Sequence, residues 1–150
     1  MSVTCRPFKV TLDPDFIAGT TNNKFFVDLR HLSPEQKKAL ASFMEKVEEG
    51  LPLPGKNKES WLDDNLNVIP GTEAYRDAEY WHYHCGPTTS SSKNFSMTFE
   101  LRRNLDGVRS AEVIHYKKYE DEAETEVVIL AFSPEHLPFP SPKDPLNPLF

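Results

Sequence analysis

The sequence predicts an α+β fold: one antiparallel sheet of about four to five strands, with one or two N-terminal helices packed on a face and a proline-rich extended C-terminal tail. Three observations carry this prediction. A helix start is written out at Ser33-Pro34-Glu35-Gln36. The second half of the chain holds several short apolar runs separated by turn residues. Beyond Ser133 come Pro134, Pro138, Pro140, Pro142, Pro145 and Pro148, which exclude both a helix and an interior strand. Strands joined by short turns pair antiparallel, and a helix segregated to one face of such a sheet is an α+β arrangement.

In chain order, Phe8-Lys9-Val10-Thr11-Leu12 alternates apolar and polar residues and reads as a first strand, ended by Asp13-Pro14-Asp15. A polar loop over 19–24 leads to Phe25-Phe26-Val27-Asp28-Leu29, a short apolar run that serves as a strand or as the approach to the helix. Ser33 caps that helix, Pro34 suits its first position, and Gln36 completes a capping box. Leu40, Phe43, Met44 and Val47 then fall on one helical face, and Gly50 is placed to end the helix. Glu48 and Glu49 in the last turn oppose the helix dipole, so helix stability does not account for them.

Residues 51–67 read as irregular or as one short helix, with Trp61 and Leu62 as anchors. The stretch Ala78-Glu79-Tyr80-Trp81-His82-Tyr83-His84-Cys85-Gly86 reads as a strand stopped by Gly86-Pro87. Alternation places Tyr80, His82 and His84 on one face and Trp81, Tyr83 and Cys85 on the other. Phe95, Met97, Phe99 and Leu101 alternate with polar residues and predict a half-buried strand. Asn104-Leu105-Asp106-Gly107 predicts a turn, 111–119 the next strand, and the apolar run Val127 to Phe132 a strand covered on both faces. No internal repeat is present, and 1–150 is read as one domain with 134–150 as its tail.

Composition limits the function classes. The hydrophobic fraction is 38% and the charged fraction 27%, the balance of a globular chain without an apolar run of membrane-spanning length. The N-terminus carries no apolar signal core, which makes a cytoplasmic location the expectation. Cys5 and Cys85 are expected to be free thiols there. A net charge of −6 argues against a general nucleic-acid binder. Locally the pattern differs: six basic residues stand between Lys93 and Lys118 against three acids, and an acidic run over 120–126 follows. This fits a single RNA contact, and it equally fits an ordinary solvated surface.

The segments LSPEQKKALASFMEKVEEG, LPLPGKNKESWLDDN, YWHYHC, AEVIHYKK and VVILAFSPEH come in an order and spacing that resembles YafO-type toxins. These are ribosome-dependent mRNA interferases of bacterial toxin–antitoxin pairs, grouped with the RelE-like toxins. The resemblance spans about residues 32 to 136. It implies an endoribonuclease that inhibits translation, an antitoxin protein as partner, contact with the ribosome and mRNA, and no cofactor. It places His82, His84, Tyr116 and His136 at catalytic positions. Cleavage through the 2′-hydroxyl needs a base on that hydroxyl, an acid for the leaving 5′-oxygen and positive charge at the phosphate. Histidine suits both proton-transfer roles. Arg102, Arg103 and Lys117 are the candidates for the phosphate, and Tyr116 can donate a proton, stack on a base or simply pack in the sheet. His115 and Tyr116 point to opposite faces, so one pocket cannot use both.

Three other readings stay open. His82 and His84 with His115 or Cys85 could bind zinc, although a fourth ligand is missing from the local sequence and Cys85 points away from the pair. An acidic chain of this kind could be a non-catalytic immunity or inhibitor protein that covers a basic partner. Both histidines could also be structural, satisfied within the sheet.

Overall fold

The computed structural model of the chain describes residues 8–89, 96–120, 123–135, 140–145 and 147–150. Its strands are β1 (Phe8–Leu12), β2 (Asn57–Glu59), β3 (Trp81–His84), β4 (Val113–Glu120) and β5 (Thr125–Ser133), and its α-helices are α1 (Pro14–Ala18), α2 (Pro34–Glu49) and α3 (Glu73–Asp77). The strands form one sheet in the order β1-β5-β4-β3-β2. The α+β class therefore holds.

The sheet is mixed rather than purely antiparallel. β1 pairs with β5 in parallel, Phe8 opposite Thr125 and Leu12 opposite Ile129, while the other pairs are antiparallel. The connectivity is the reason. The β4–β5 hairpin leaves the outer edge of β5 open, and β1 fills it running the same way. The chain then crosses one face of the sheet through α2 and rejoins at the far edge as β2.

The α2 signals operate as written. The Ser33 hydroxyl accepts from the Gln36 N–H at 3.2 Å, the Gln36 side chain accepts from the Ser33 N–H at 2.8 Å, and Gly50 closes the helix at φ 70°. Leu40, Phe43 and Val47 are buried against the sheet, with the Phe43 ring 5.0 Å from Tyr83 and 5.9 Å from Tyr116. Val10, Val127, Ile129, Ile114 and Phe132 complete this core. A bulge makes that possible: His115 pairs with Ala131 and Tyr116 with Ile129, so Leu130 is the extra residue. Ile129 and Phe132 then face α2 although they are three residues apart.

Several stretches differ from the sequence reading, among them 51–67, which holds β2 rather than a short helix. Residues 96–101, expected as a strand, are irregular, with a single bridge from Leu53 to Thr98. Glu100 and Leu101 both take left-handed backbone conformations, at φ 56° and 54°. That turn drives Leu101 fully inward and leaves Phe99 56% exposed, so the alternation there does not mark two sheet faces. The segment before the histidines, where Pro70-Gly71 reads as a turn into the strand, also holds α3. Gly55 is required by close approach: a Cβ there would sit 2.1 Å from the His84 carbonyl.

No described helix is long and apolar enough to cross a membrane.

Candidate functional site

Register decides what the sheet brings together. Residues directly opposite on antiparallel strands point the same way, with Cβ atoms about 4.5–5.5 Å apart. His82 lies opposite His115 on β4 and opposite Lys58 on β2, so these three share the face turned away from α2. His84 is on the same face, its ring 5.6 Å from that of His82, and the His115 ring is 6.4 Å from His82. The sequence reading put His82 and His84 on one face, named His115 as a candidate only in the zinc alternative and left Lys58 out.

Each imidazole has one nitrogen oriented by a short polar group. His82 Nδ1 is 3.1 Å from the Ser60 hydroxyl. His115 Nε2 is 2.6 Å from the Ser133 hydroxyl. His84 Nδ1 is 2.9 Å from the Ser110 carbonyl and 3.1 Å from its N–H. Such contacts orient the ring planes, and they suit either tautomer because each partner offers both a donor and an acceptor. All three rings are buried, at 1%, 4% and 0% exposure for His82, His84 and His115. Phe26 lies on His115 at 5.4 Å, within a layer that includes Tyr75, Ala131 and Leu149. The Tyr75 hydroxyl donates to the Pro140 carbonyl at 2.7 Å and Tyr80 to the Leu149 carbonyl at 2.9 Å, which fastens the described C-terminal residues over that layer. A shallow cleft of about 290 Å³ opens beside His84, lined by Thr88, Thr89, Arg109, Ser110 and Ala111.

The histidine face also carries positive charge from residues that no sequence motif marked. Lys56 and Lys58 are 4% and 7% exposed, and both ammonium groups reach Asp64 Oδ1, at 2.6 and 3.1 Å. Arg109 meets Asp64 Oδ2 at 3.1 Å. Burial pulls the Lys56 ammonium below its ordinary range, with Asp64 opposing that pull. The hydrogen bond from Lys56 holds the Asp64 carboxyl far below the usual carboxylate range, against its own partial burial. Alternation along β2 was hidden by its polar composition: Asn57, Lys58 and Glu59 are all buried.

The other candidates separate from this face. Tyr116 is fully buried on the α2 side, its hydroxyl donating to Asn57 Oδ1 at 2.6 Å, and burial raises that hydroxyl well above the ordinary tyrosine range. The strand period that puts His115 with His82 puts Tyr116 opposite, so Tyr116 cannot join a pocket with them. Arg103 is held by Glu59 on the α2 side, its Nε donating at 2.9 Å. Burial raises the Glu59 carboxyl, but the Arg103 hydrogen bond, a backbone hydrogen bond and the charges of Arg103 and Lys118 together outweigh it and leave the group below its ordinary value. Arg102 is 79% exposed and meets Glu100 at 3.6 Å. Lys117 is on the histidine side of β4, further along, with its ammonium 5.1 Å from the Tyr119 ring. His136 lies outside the described residues.

Arg103→Ala should therefore act on stability, at about 1.5 kcal/mol from a charge-assisted hydrogen bond half open to solvent, whereas Arg102→Ala should stay within about 0.5 kcal/mol. Urea unfolding of the two variants checks this, and equal effects would contradict the geometry.

Among the described residues, no group of three or more His, Cys, Asp or Glu side chains is arranged to hold a metal ion. The Cys85 thiol belongs to the α2 side and donates to the Gly86 carbonyl. Compared with protein-family models, with curated proteins and with solved structures, the chain matches none.

Proposed function

We propose that the chain is a toxin-like endoribonuclease that cleaves mRNA on the ribosome, with its chemistry on the face of β3 and β4 that carries His82, His84 and His115. The observation that supports this reading is the placement of three oriented, buried imidazoles on one sheet face with Lys58, and with Lys56 beside His84. One histidine takes the proton from the 2′-hydroxyl, and the 2′-oxygen attacks phosphorus. The bond to the 5′-oxygen breaks, a second histidine returns a proton to that oxygen, and a 2′,3′-cyclic phosphate remains. The ammonium groups offset the charge that develops on the phosphate. Relative to the sequence reading, which named Arg102, Arg103 and Lys117, the cations become Lys56 and Lys58 with Lys117 further along the same face, and His115 takes the place of Tyr116 in the catalytic set. The burial of the histidines adds a requirement: the covering layer must open before RNA can enter. The partners in this reading are an antitoxin protein, the ribosome and mRNA.

A second reading, a non-catalytic acidic binding protein, is favoured by a different observation. A groove of about 410 Å³ runs between the end of α2 and 99–101, with Glu48, Glu49 and Glu100 around Leu51, Leu53 and Phe99. Acidic walls over an apolar floor suit a basic partner.

Expression of the chain alone in bacteria separates the two readings. The nuclease reading expects translation arrest, relieved when His82→Ala and His84→Ala are combined in a variant shown by circular dichroism to be folded. A wild-type chain that is harmless at high expression would remove the nuclease reading and leave the binding protein.

A further inference from the structure

We propose that Lys56 and Lys58 form a binding site for a phosphate-type oxyanion, and that Asp64 occupies it in this structure as an internal substitute. The proposal deepens the nuclease reading by assigning the phosphate subsite and a means of closing it. Two ammonium groups, each more than nine-tenths buried, aim at a single carboxylate oxygen. Buried charges need compensation, and one carboxylate supplies a single negative charge to the two lysines while its other oxygen also meets the exposed Arg109 at 3.1 Å. Neither lysine has another acid within ion-pairing distance among the described residues. The buried acid next to His84's partner Ser110 is Glu112, and it is committed to the Thr88 N–H and hydroxyl, each at 2.9 Å. A phosphate oxyanion brings more acceptor oxygens than the carboxylate and suits two converging ammoniums better.

The carrier of Asp64 is built to leave. Asp64 itself is 49% exposed. Its loop is shaped from within: Asp63 accepts from the N–H groups of Asn65 and Asn67, at 2.8 and 3.0 Å. Leu66, Val68 and Ile69 are 42%, 44% and 36% exposed, so the loop gains little from apolar contact with the body. Its Asp64 ion pairs are its strongest polar tie to β2. Position ties the subsite to the histidines: Lys58 stands opposite His82, and the Lys56 carbonyl accepts the His84 N–H at 2.8 Å. A phosphate held by the two ammoniums would lie beside the imidazoles that act on it.

The test is calorimetric titration of inorganic phosphate into the full chain at constant ionic strength, with chloride as the balancing anion. Asp64→Asn should bind phosphate at least tenfold more tightly than wild type, and adding Lys58→Met should abolish the gain. Equal affinity in wild type and Asp64→Asn, or a gain that survives Lys58→Met, would overturn the proposal. Should Asp64→Asn fold poorly, amide spectra of the wild type in phosphate against chloride decide instead. Shifts centred on Lys56, Lys58 and 63–69 support the site, and shifts elsewhere or none overturn it. The deoxy dinucleotide d(TpT), which has no 2′-hydroxyl to react, distinguishes a site for a phosphodiester from one for free phosphate. Phosphate binding in a chain that does not arrest translation would keep this subsite and remove the nuclease reading. Arrest without phosphate binding would do the reverse.

Discussion

Asn57→Leu is expected to destabilise the fold by about 3 kcal/mol, read as a shifted urea midpoint at unchanged slope. Asn57 is fully buried on β2 and its side chain makes three hydrogen bonds. The amide donates to the carbonyls of Leu101 and Arg102, at 3.1 and 2.9 Å, and its oxygen accepts from Tyr116. The three losses are not equal. The Arg102 carbonyl keeps the Thr98 hydroxyl at 2.6 Å, and the Leu101 carbonyl keeps the Lys118 ammonium at 3.2 Å. The Tyr116 hydroxyl has no such second contact among the described residues and is stranded in the core. A buried donor left unsatisfied costs about 1–3 kcal/mol, and the two weakened carbonyls and the altered packing add the rest. Tyr116→Phe alone should cost about 1 kcal/mol, and added to Asn57→Leu it should recover part of the loss, because the group left stranded is then gone. Strict additivity of the two changes would show that they do not share the bond.

Asp64→Asn is the second large effect, with an expected loss of about 2 kcal/mol at neutral pH. Breaking a buried ion pair from one side costs about 3–5 kcal/mol, and the half-exposed carboxylate reduces that through solvent screening. The pH dependence has two limbs. The Asp64 carboxyl is depressed in the fold, so its contribution is complete above the ordinary carboxylate value and fades as pH falls. The variant should therefore lose the acid-side decline that Asp64 causes in the wild type. The Lys56 ammonium is also lowered by burial, so the native state sheds its proton before the unfolded chain does. Stability then rises as pH climbs through the lowered value toward the ordinary lysine range. In the variant the ammonium has lost its partner, and its proton should leave at still lower pH. The gap to wild type should therefore narrow as the solution is made alkaline. A gap that stays constant from acid to alkaline pH would show that the lysines do not depend on Asp64.

The parts of the fold that were legible in the sequence are those fixed by local chemistry. Ser33, Pro34, Gln36 and Gly50 each act through atoms within four residues, so the α2 boundaries could be read directly. β3, β4 and β5 were legible because their apolar residues must be buried and their period shows where. The parallel partnership of β1 and β5 was not legible, since strand order is decided by which edge stays open after the hairpin forms. β2 was missed for a related reason: Asn57, Lys58 and Glu59 are buried by virtue of partners, Tyr116, Asp64 and Arg103, that are distant in sequence or lie across a loop. At the site, strand alternation gave the shared face of His82 and His84. The alternation of β4 also separated His115 from Tyr116, but only the register of β3 against β4 shows which of them joins the pair. Phe99 and Leu101 mislead because two left-handed residues turn the chain where a strand would have continued.

The parallel seam between β1 and β5 has a consequence in time. A ribosome releases Phe8 long before Thr125, its partner across the seam. During that interval β1 can rest on α2 but has no strand to bond with, and its backbone groups stay solvated. Contacts between such distant positions must offset a large loop-closure entropy, which makes them late and slow. β5 must first reach β4 through their short turn, and only then does its outer edge attract β1. Until β1 arrives, that edge is an open row of donors and acceptors beside Val127 and Ile129, the kind of surface on which chains aggregate. Refolding in vitro should accordingly show losses that grow with protein concentration, and an N-terminal label should report the last phase to complete.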